Sequence, residues 1–295
     1  MPDIQMRFHR DMLVISEPLN GVLSKAGYDV ESGLEMLDLL EEEAVEQALR
    51  TQMAAGPQCL CTPTFGITRA RLAHARMRDR QRDAAQAAIG LCRPFRPQHL
   101  IAEVGSTRLP LDATSKASLV ANRDQYAEAV VAFGPENVDA FLFNGLAGAE
   151  DVRCALMGAR KECATPVIVS VDVDDQGTLL GRSQTIEDVL AVADDLQADA
   201  VGIRTKAAPS DVAAIARRMA RASGLPILVQ LDVGEPAPRR VAPAEDNPYW
   251  HPDTMVAAAG LLRAAGVQFL RAAGSATPSY TGALSAATAG LPTVR

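Results

Sequence analysis

Ala198-Asp199-Ala200-Val201-Gly202-Ile203-Arg204-Thr205-Lys206 is a short apolar run that breaks off in polar and charged residues. A run bounded in this way reads as a parallel strand covered on both faces, with functional groups at its carboxyl end. Its opening recurs at Val138-Asp139-Ala140 and Gly266-Val267-Gln268, each after a predicted helix.

Working outward, the same alternation fills the chain. Strands are expected at Met12–Ser16, Gln58–Thr62, Leu100–Val104, Asp139–Asn144, Val167–Asp172, Asp199–Thr205, Ile227–Asp232 and Val267–Arg271. Between them fall helices over 41–55, 68–91, 115–133, 149–162, 185–196, 210–223 (with Ser210 as its cap), 253–265 and 278–289. Glu17-Pro18-Leu19-Asn20-Gly21 reads as a loop. Eight strand–helix units of roughly 30 residues predict an α/β protein, a (β/α)8 TIM barrel forming one domain over residues 1–295. A doubly wound sheet would show a glycine-rich nucleotide loop after its first strand, and none is present. The stretches Thr107–Thr114 and Gly234–Tyr249 read as long loops on the face where barrels keep their sites, either a rim or lid or solvated excursions.

Composition narrows the class. With 295 residues, 48% of them hydrophobic, the chain can bury a large core. A net charge of -7 argues against nucleic acid as a partner, and no apolar run approaches a membrane span. The N-terminus, MPDIQMRFHRDML, is too polar for a secretion signal. Five cysteines (59, 61, 92, 154 and 163) form no disulfide framework, so a cytoplasmic protein is expected. The four histidines have no metal-ligand spacing.

In a barrel the strand ends carry the chemistry. They read Glu17, Cys61, Glu103, Asn144, Asp172, Arg204 with Thr205 and Lys206, Asp232 and Arg271. Alternation turns Val169 and Val171 toward the helices and leaves Ser170 and Asp172 inside; likewise Phe141 and Phe143 lie outside, Leu142 and Asn144 inside. A charge aimed at the helix layer would be costly to desolvate, so Glu103 belongs in the lumen mouth. Arg204, Lys206 and Arg271 either bind a substrate or neutralise Glu103, Asp172 and Asp232. Cys59 and Cys61 read as small apolar fillers.

Several short blocks lie along the chain in a fixed order: Thr62-Pro63-Thr64-Phe65-Gly66 with Arg69 and Arg71-Leu72; Val104-Gly105-Ser106-Thr107 with Leu109-Pro110-Leu111; Pro166–Ser170 with Gly177; Ala198–Gly202; Leu225–Gln230 with Gly234; and Thr277-Pro278. In them the chain resembles, from about Leu13 to Leu291, the homocysteine S-methyltransferase family, the zinc-thiolate barrel of methionine synthases and betaine–homocysteine methyltransferases. The first block is similar to the T-N-T-F-G block after the family's second strand, and the next to its I-G-P-T-G-x-P-L loop.

That resemblance implies methyl transfer to a thiol activated by zinc on three cysteine thiolates. The ligand positions differ here. Gly202-Ile203-Arg204 leads to Thr205, and the pair of cysteines ending strand eight is replaced within Arg271-Ala272-Ala273-Gly274-Ser275. The family's strand-four glutamate is Asn144, its strand-seven asparagine is Asp232, and its first acidic loop residue corresponds to Glu17. Threonine and alanine cannot replace thiolates, so zinc is not expected. The reading is a divergent methyltransferase for a small anionic or zwitterionic substrate, with Asp232 or Glu17 as base. Asn144, Arg204, Thr205, Lys206, Arg271, Thr64, Glu103 and Asp172 form the expected binding set. By family analogy the methyl donor is a corrinoid or a folate, and the partners are a second copy or a corrinoid protein. The alternatives are a non-catalytic binding or regulatory subunit and a Schiff-base lyase using Lys206.

Overall fold

A computed structural model describes residues 3–30, 33–234 and 247–294. Its strands are β1 (Leu13–Ile15), β2 (Cys59–Cys61), β3 (His99–Gly105), β4 (Ala140–Leu146), β5 (Val167–Asp172), β6 (Ala200–Thr205), β7 (Ile227–Val233) and β8 (Phe269–Gly274). They are all parallel and pair in chain order, and β8 closes back on β1 through Leu13–Phe269 and Ile15–Arg271. Helices α1 (Asn20–Lys25), α2 (Leu34–Leu40) and α3 (Glu42–Ala54) follow β1, and α4 (Arg69–Leu72) and α5 (Gln81–Cys92) follow β2. Single helices then alternate with strands: α6 (Lys116–Phe133), α7 (Ala149–Glu162), α8 (Ile186–Asp195), α9 (Pro209–Ala222), α10 (Pro252–Ala264) and α11 (Pro278–Thr288). The fold is the (β/α)8 barrel that the alternation predicts.

Local chemistry sets the boundaries. In α7, Glu150 and Asp151 lie in the first turn and Arg160 and Lys161 in the last, matching the helix dipole at both ends. Helix α9 begins at Pro209, whose fixed φ suits a first helical position, so Ser210 lies inside the first turn and is not the cap. The helical zone expected over 68–91 is two helices. Arg76 takes a left-handed φ of 56°, and a 3-10 turn at Arg78–Arg80 follows it. No glycine marks that break. Helix α1 starts inside the stretch 17–21 expected as a loop, α2 lies where no element was expected, and β8 runs from Phe269 to Gly274 instead of 267–271.

Alternation sorts the side chains as the sequence implies. Val167, Val169, Val171, Phe141 and Phe143 pack with the helices in one large buried cluster. Phe141 and Phe143 stack there at 6.2 Å, with the Phe133 and Tyr126 rings edge-on. A second cluster fills the lower lumen with Leu13, Ile15, Cys59, Ile101, Leu142, Ile168, Leu228 and Phe269. From below it is met by Ile4, which is fully buried, and by Phe8, edge-on to Phe269 at 5.7 Å. Above this layer the lumen turns polar.

Among the described residues no helix is long and apolar enough to cross a membrane. All five cysteines carry free thiols. Of the loop Gly234–Tyr249, residues 235–246 lie outside the described residues. Its far end is fixed: Asn247 Nδ2 donates to the Asp232 carbonyl at 3.0 Å, and Tyr249 Oη to the Ala207 carbonyl at 2.7 Å.

Candidate active site

The polar layer is built around Arg271, which alternation on β8 turns inward two residues above Phe269 and which is 0% exposed. Its Nη1 and Nη2 donate to Oε1 and Oε2 of Glu103 at 2.6 and 2.7 Å, a bidentate pair across the barrel. Its Nε donates to the Ser16 carbonyl at 2.8 Å. Burial alone would lower the Arg271 pKa, but the Glu103 carboxylate more than reverses this and holds the guanidinium charged. Asn144 Nδ2 donates to Glu103 Oε1 at 2.7 Å, Gln230 Nε2 to Asn144 Oδ1 at 2.8 Å and Gln230 Nε2 to the Ser170 hydroxyl at 2.7 Å. A carboxylate at position 144 would face that of Glu103 without a proton to offer; an amide completes the network.

Above this floor lies a cavity of about 290 Å³, lined by Glu17, Thr64, Phe65, Glu103, Asn144, Arg204 and Arg271 among others. Glu17 is 1% exposed. Thr281 Oγ1 donates to its Oε2, while its Oε1 is buried without a partner. Burial raises its pKa, against the smaller opposing effects of the Thr281 hydrogen bond and Arg271. Thr64 Oγ1 donates to the Glu103 carbonyl at 2.8 Å, tying the second loop to β3. Burial pushes the Cys61 thiol, on the same cavity wall, up to about 12, so it is a poor nucleophile.

Arg204 stands where this cavity meets a second one of about 540 Å³, lined by Asp172, Arg204, Thr205, Lys206 and Asp232. Its Nη2 donates to Asp172 Oδ2 at 2.7 Å, and its Nε lies 3.8 Å from Asp232 Oδ2. This pair is open, with side chains 33% and 26% exposed. Burial raises the Asp172 pKa, Arg204 counteracts that, and Asp232 adds to it.

The predicted residues therefore separate into two groups that share Arg204. Glu17, Thr64, Glu103, Asn144 and Arg271 face the first cavity; Asp172, Thr205, Lys206 and Asp232 face the second. The two candidate bases, Glu17 and Asp232, are not on one cavity. Lys206 is exposed, without the apolar surroundings that activate a Schiff-base lysine. The sequence reading passes over Gln230, although its position two residues before Asp232 puts it on the same strand face.

A sequence profile described as homocysteine S-methyltransferase matches residues 15–287. The chain belongs to the homocysteine S-methyltransferase family. Its fold is similar to that of the homocysteine methyltransferase MmuM from Escherichia coli in its metallated form, with 17% identity, TM-score 0.74 and coverage of 94% of this chain and 96% of that one. The apo form of the same enzyme matches over the same shares at 16% identity and TM-score 0.70. The carboxyl transferase domain of Rhizobium etli pyruvate carboxylase with 3-bromopyruvate also shares the fold, at 13% identity and TM-score 0.54, over 92% of this chain and 41% of that one. No curated protein sequence matches.

Membership in the homocysteine S-methyltransferase family supports methyl transfer and small-molecule substrates such as homocysteine. At the positions where the resemblance places the family's zinc cysteines this chain carries no thiol. Thr205 Oγ1 accepts from the Ala207 amide at 3.1 Å, and Ala272 and Ala273 carry no donor atom. Among the described residues no group of three or more His, Cys, Asp or Glu side chains is placed to hold a metal.

Proposed function

We propose that this chain is a zinc-independent methyltransferase acting on a small anionic or zwitterionic acceptor bound in the mouth cavity. One observation carries the reading. Once Glu103, Arg271, Asn144 and Gln230 have bonded to one another, Glu17 keeps an unpartnered Oε1 and Arg204 keeps a partly exposed guanidinium, and both line the same cavity.

The chemistry follows from those two groups. Arg204, aimed by Asp172 and Asp232, binds the acceptor's carboxylate. Glu17 takes the proton of the acceptor's nucleophile, for which a thiol is the family precedent. A free thiol is mostly protonated at neutral pH, and a carboxylate whose proton affinity burial has raised narrows the mismatch between base and thiol. The proton comes to Glu17 Oε1, the freed lone pair forms the bond to the methyl carbon, and the donor leaves with the electrons of its old bond. Thr281 holds the other carboxylate oxygen and fixes the direction of attack.

The test is a methyl-transfer assay of the full chain with homocysteine and other thiols, using sulfonium, ammonium, folate and corrinoid methyl donors, before and after chelation. Turnover that survives removal of zinc is expected. Turnover that requires zinc, or none with any pair, overturns the reading.

A second reading is favoured by the closed Arg271–Glu103 pair, which fills the floor of the site with mutually satisfied groups. A non-catalytic binding subunit would retain a ligand through purification without converting it.

A further inference from the structure

Beside the mouth cavity lies a third one, of about 300 Å³, lined by Gly33, Glu35, Gly66, Arg71, His74 and Arg108 together with apolar side chains. Among the described residues the two cavities have no lining residue in common; Arg71 of this one stacks on Phe65 of the other. The ring of Phe65 lines the mouth cavity, and the Arg71 guanidinium sits over that ring at 4.7 Å from its centroid. Phe65 is itself immobilised: its carbonyl accepts from the Gly105 amide at 2.7 Å, and its ring lies where a side chain at Gly105 would have to go.

Arg71 and Arg108 are brought together at a cost. Arg108 lies close enough to Arg71 to disfavour its charge, adding to the effect of partial burial. Among the described residues neither guanidinium makes an ion pair, although the Glu35 carboxylate lies near enough to favour the Arg71 charge, and Arg71 donates to the Ser106 carbonyl at 3.4 Å. Arg108 also holds a left-handed φ of 60°, which a side-chain-bearing residue adopts only when its surroundings enforce it. The surroundings do so. Thr107 Oγ1 donates to the buried Asn122, accepts from the Leu109 amide at 3.1 Å, and Asn122 Nδ2 donates to the Pro110 carbonyl at 3.2 Å. At the back of the pocket Glu35 is 3% exposed and accepts from the Gly66 amide, and burial raises its pKa, which weakens it as a competing anion.

Two guanidiniums without a hydrogen-bonded carboxylate, one stacked on Phe65 and one on the exposed tip of a braced loop, with the Glu35 charge as their only neighbouring anion among the residues lining the pocket, form a site for an oxyanion. We infer that Arg71 and Arg108 form an oxyanion subsite that takes a phosphate or carboxylate group in the pocket beside the mouth cavity. The anion site does not rest on the methyltransferase reading.

Calorimetric titration of the full chain with inorganic pyrophosphate and, separately, with citrate tests the site without any turnover. Saturable binding of at least one is expected, weakening as salt is raised. Arg71→Gln with Arg108→Gln should weaken it at least tenfold, whereas Lys161→Gln, a distant surface cation, should leave it unchanged. Arg108→Gln alone, at an exposed side chain, covers the case in which the double variant folds poorly, and should weaken binding severalfold. Preference for pyrophosphate marks a phosphorylated ligand, and preference for citrate a polycarboxylate one. No saturable binding of either anion, or equal binding by the variants, overturns the subsite while leaving the methyl-transfer assay to decide the function separately.

Discussion

The barrel mouth holds two arginine–carboxylate pairs that are superficially alike. Arg271 and Glu103 meet in a bidentate geometry with both side chains sealed from water. Arg204 and Asp172 meet through one hydrogen bond, about a third and a quarter exposed. A sealed pair contributes little net stability relative to well-packed apolar residues, yet neither member tolerates loss of the other, because an unpaired buried charge remains. An open pair is screened and contributes little either way, so its members are available to a ligand. The same two residue types therefore do different work according to depth: one pair builds the floor, and the other leaves charge within reach at the edge of the cavity.

The largest effect should come from breaking the sealed pair. Glu103→Ala is expected to destabilise the fold by about 3–5 kcal/mol in urea unfolding, since Arg271 is left charged and buried. The double replacement Glu103→Leu with Arg271→Met should recover most of that. If Glu103→Ala costs no more than a surface substitution, the two pairs are equivalent and the contrast fails.

Glu17 sharpens the comparison as a carboxyl with no cation of its own. Glu17→Gln is expected to lower the methyl-transfer rate by about 10²–10⁴-fold, the usual range for losing a general base, while the fold at pH 7 is no less stable, since a buried carboxyl with a raised pKa is replaced by a neutral amide. Equal rates for the two proteins would remove Glu17 from the chemistry.

At the open pair, Arg204→Ala should raise the acceptor KM roughly tenfold, as one charge-assisted hydrogen bond is lost, and change stability by about 1 kcal/mol or less. A larger loss of stability than Glu103→Ala would invert the assignment.

The smallest effect concerns Asp38 on α2, buried with both oxygens unpartnered, whose pKa is raised first by burial and then by Glu35. A carboxyl with a raised folded pKa keeps its proton where the unfolded chain has already lost it. Stability is then highest below the ordinary aspartate range, near pH 4, and declines as pH rises toward the folded value. Asp38→Asn should raise the unfolding free energy at pH 7 and have no effect below about pH 4. A gain of the same size at both pH values would show that the charge is not its source.

Much of this was legible in the chain itself, for physical reasons. The limits of β5 and α7 follow from apolar runs bounded by polar residues and from charges that match a helix dipole. Alternation placed Ser170, Asp172, Leu142 and Asn144 in the lumen, since a strand offers only two faces. The break at Arg76 left no trace because a left-handed arginine looks like any other arginine in a helical pattern. The sequence left Arg271 open between binding a substrate and neutralising a carboxylate, and could not choose Glu103 as its partner, for their contact spans 168 positions and exists only once β8 has returned to β1. The division between two cavities was hidden for a related reason: Thr205 and Lys206 follow Arg204 directly, but the strand turns Thr205 away and ends before Lys206.

The stopper formed by Ile4 and Phe8 has a kinetic corollary. A well plugged at its base is entered from the strand-end side, where the two cavities meet at Arg204. If the proposed methyl acceptor takes the deeper end, against Glu17, it binds before the donor and its methylated product leaves last, an order that product-inhibition kinetics would test.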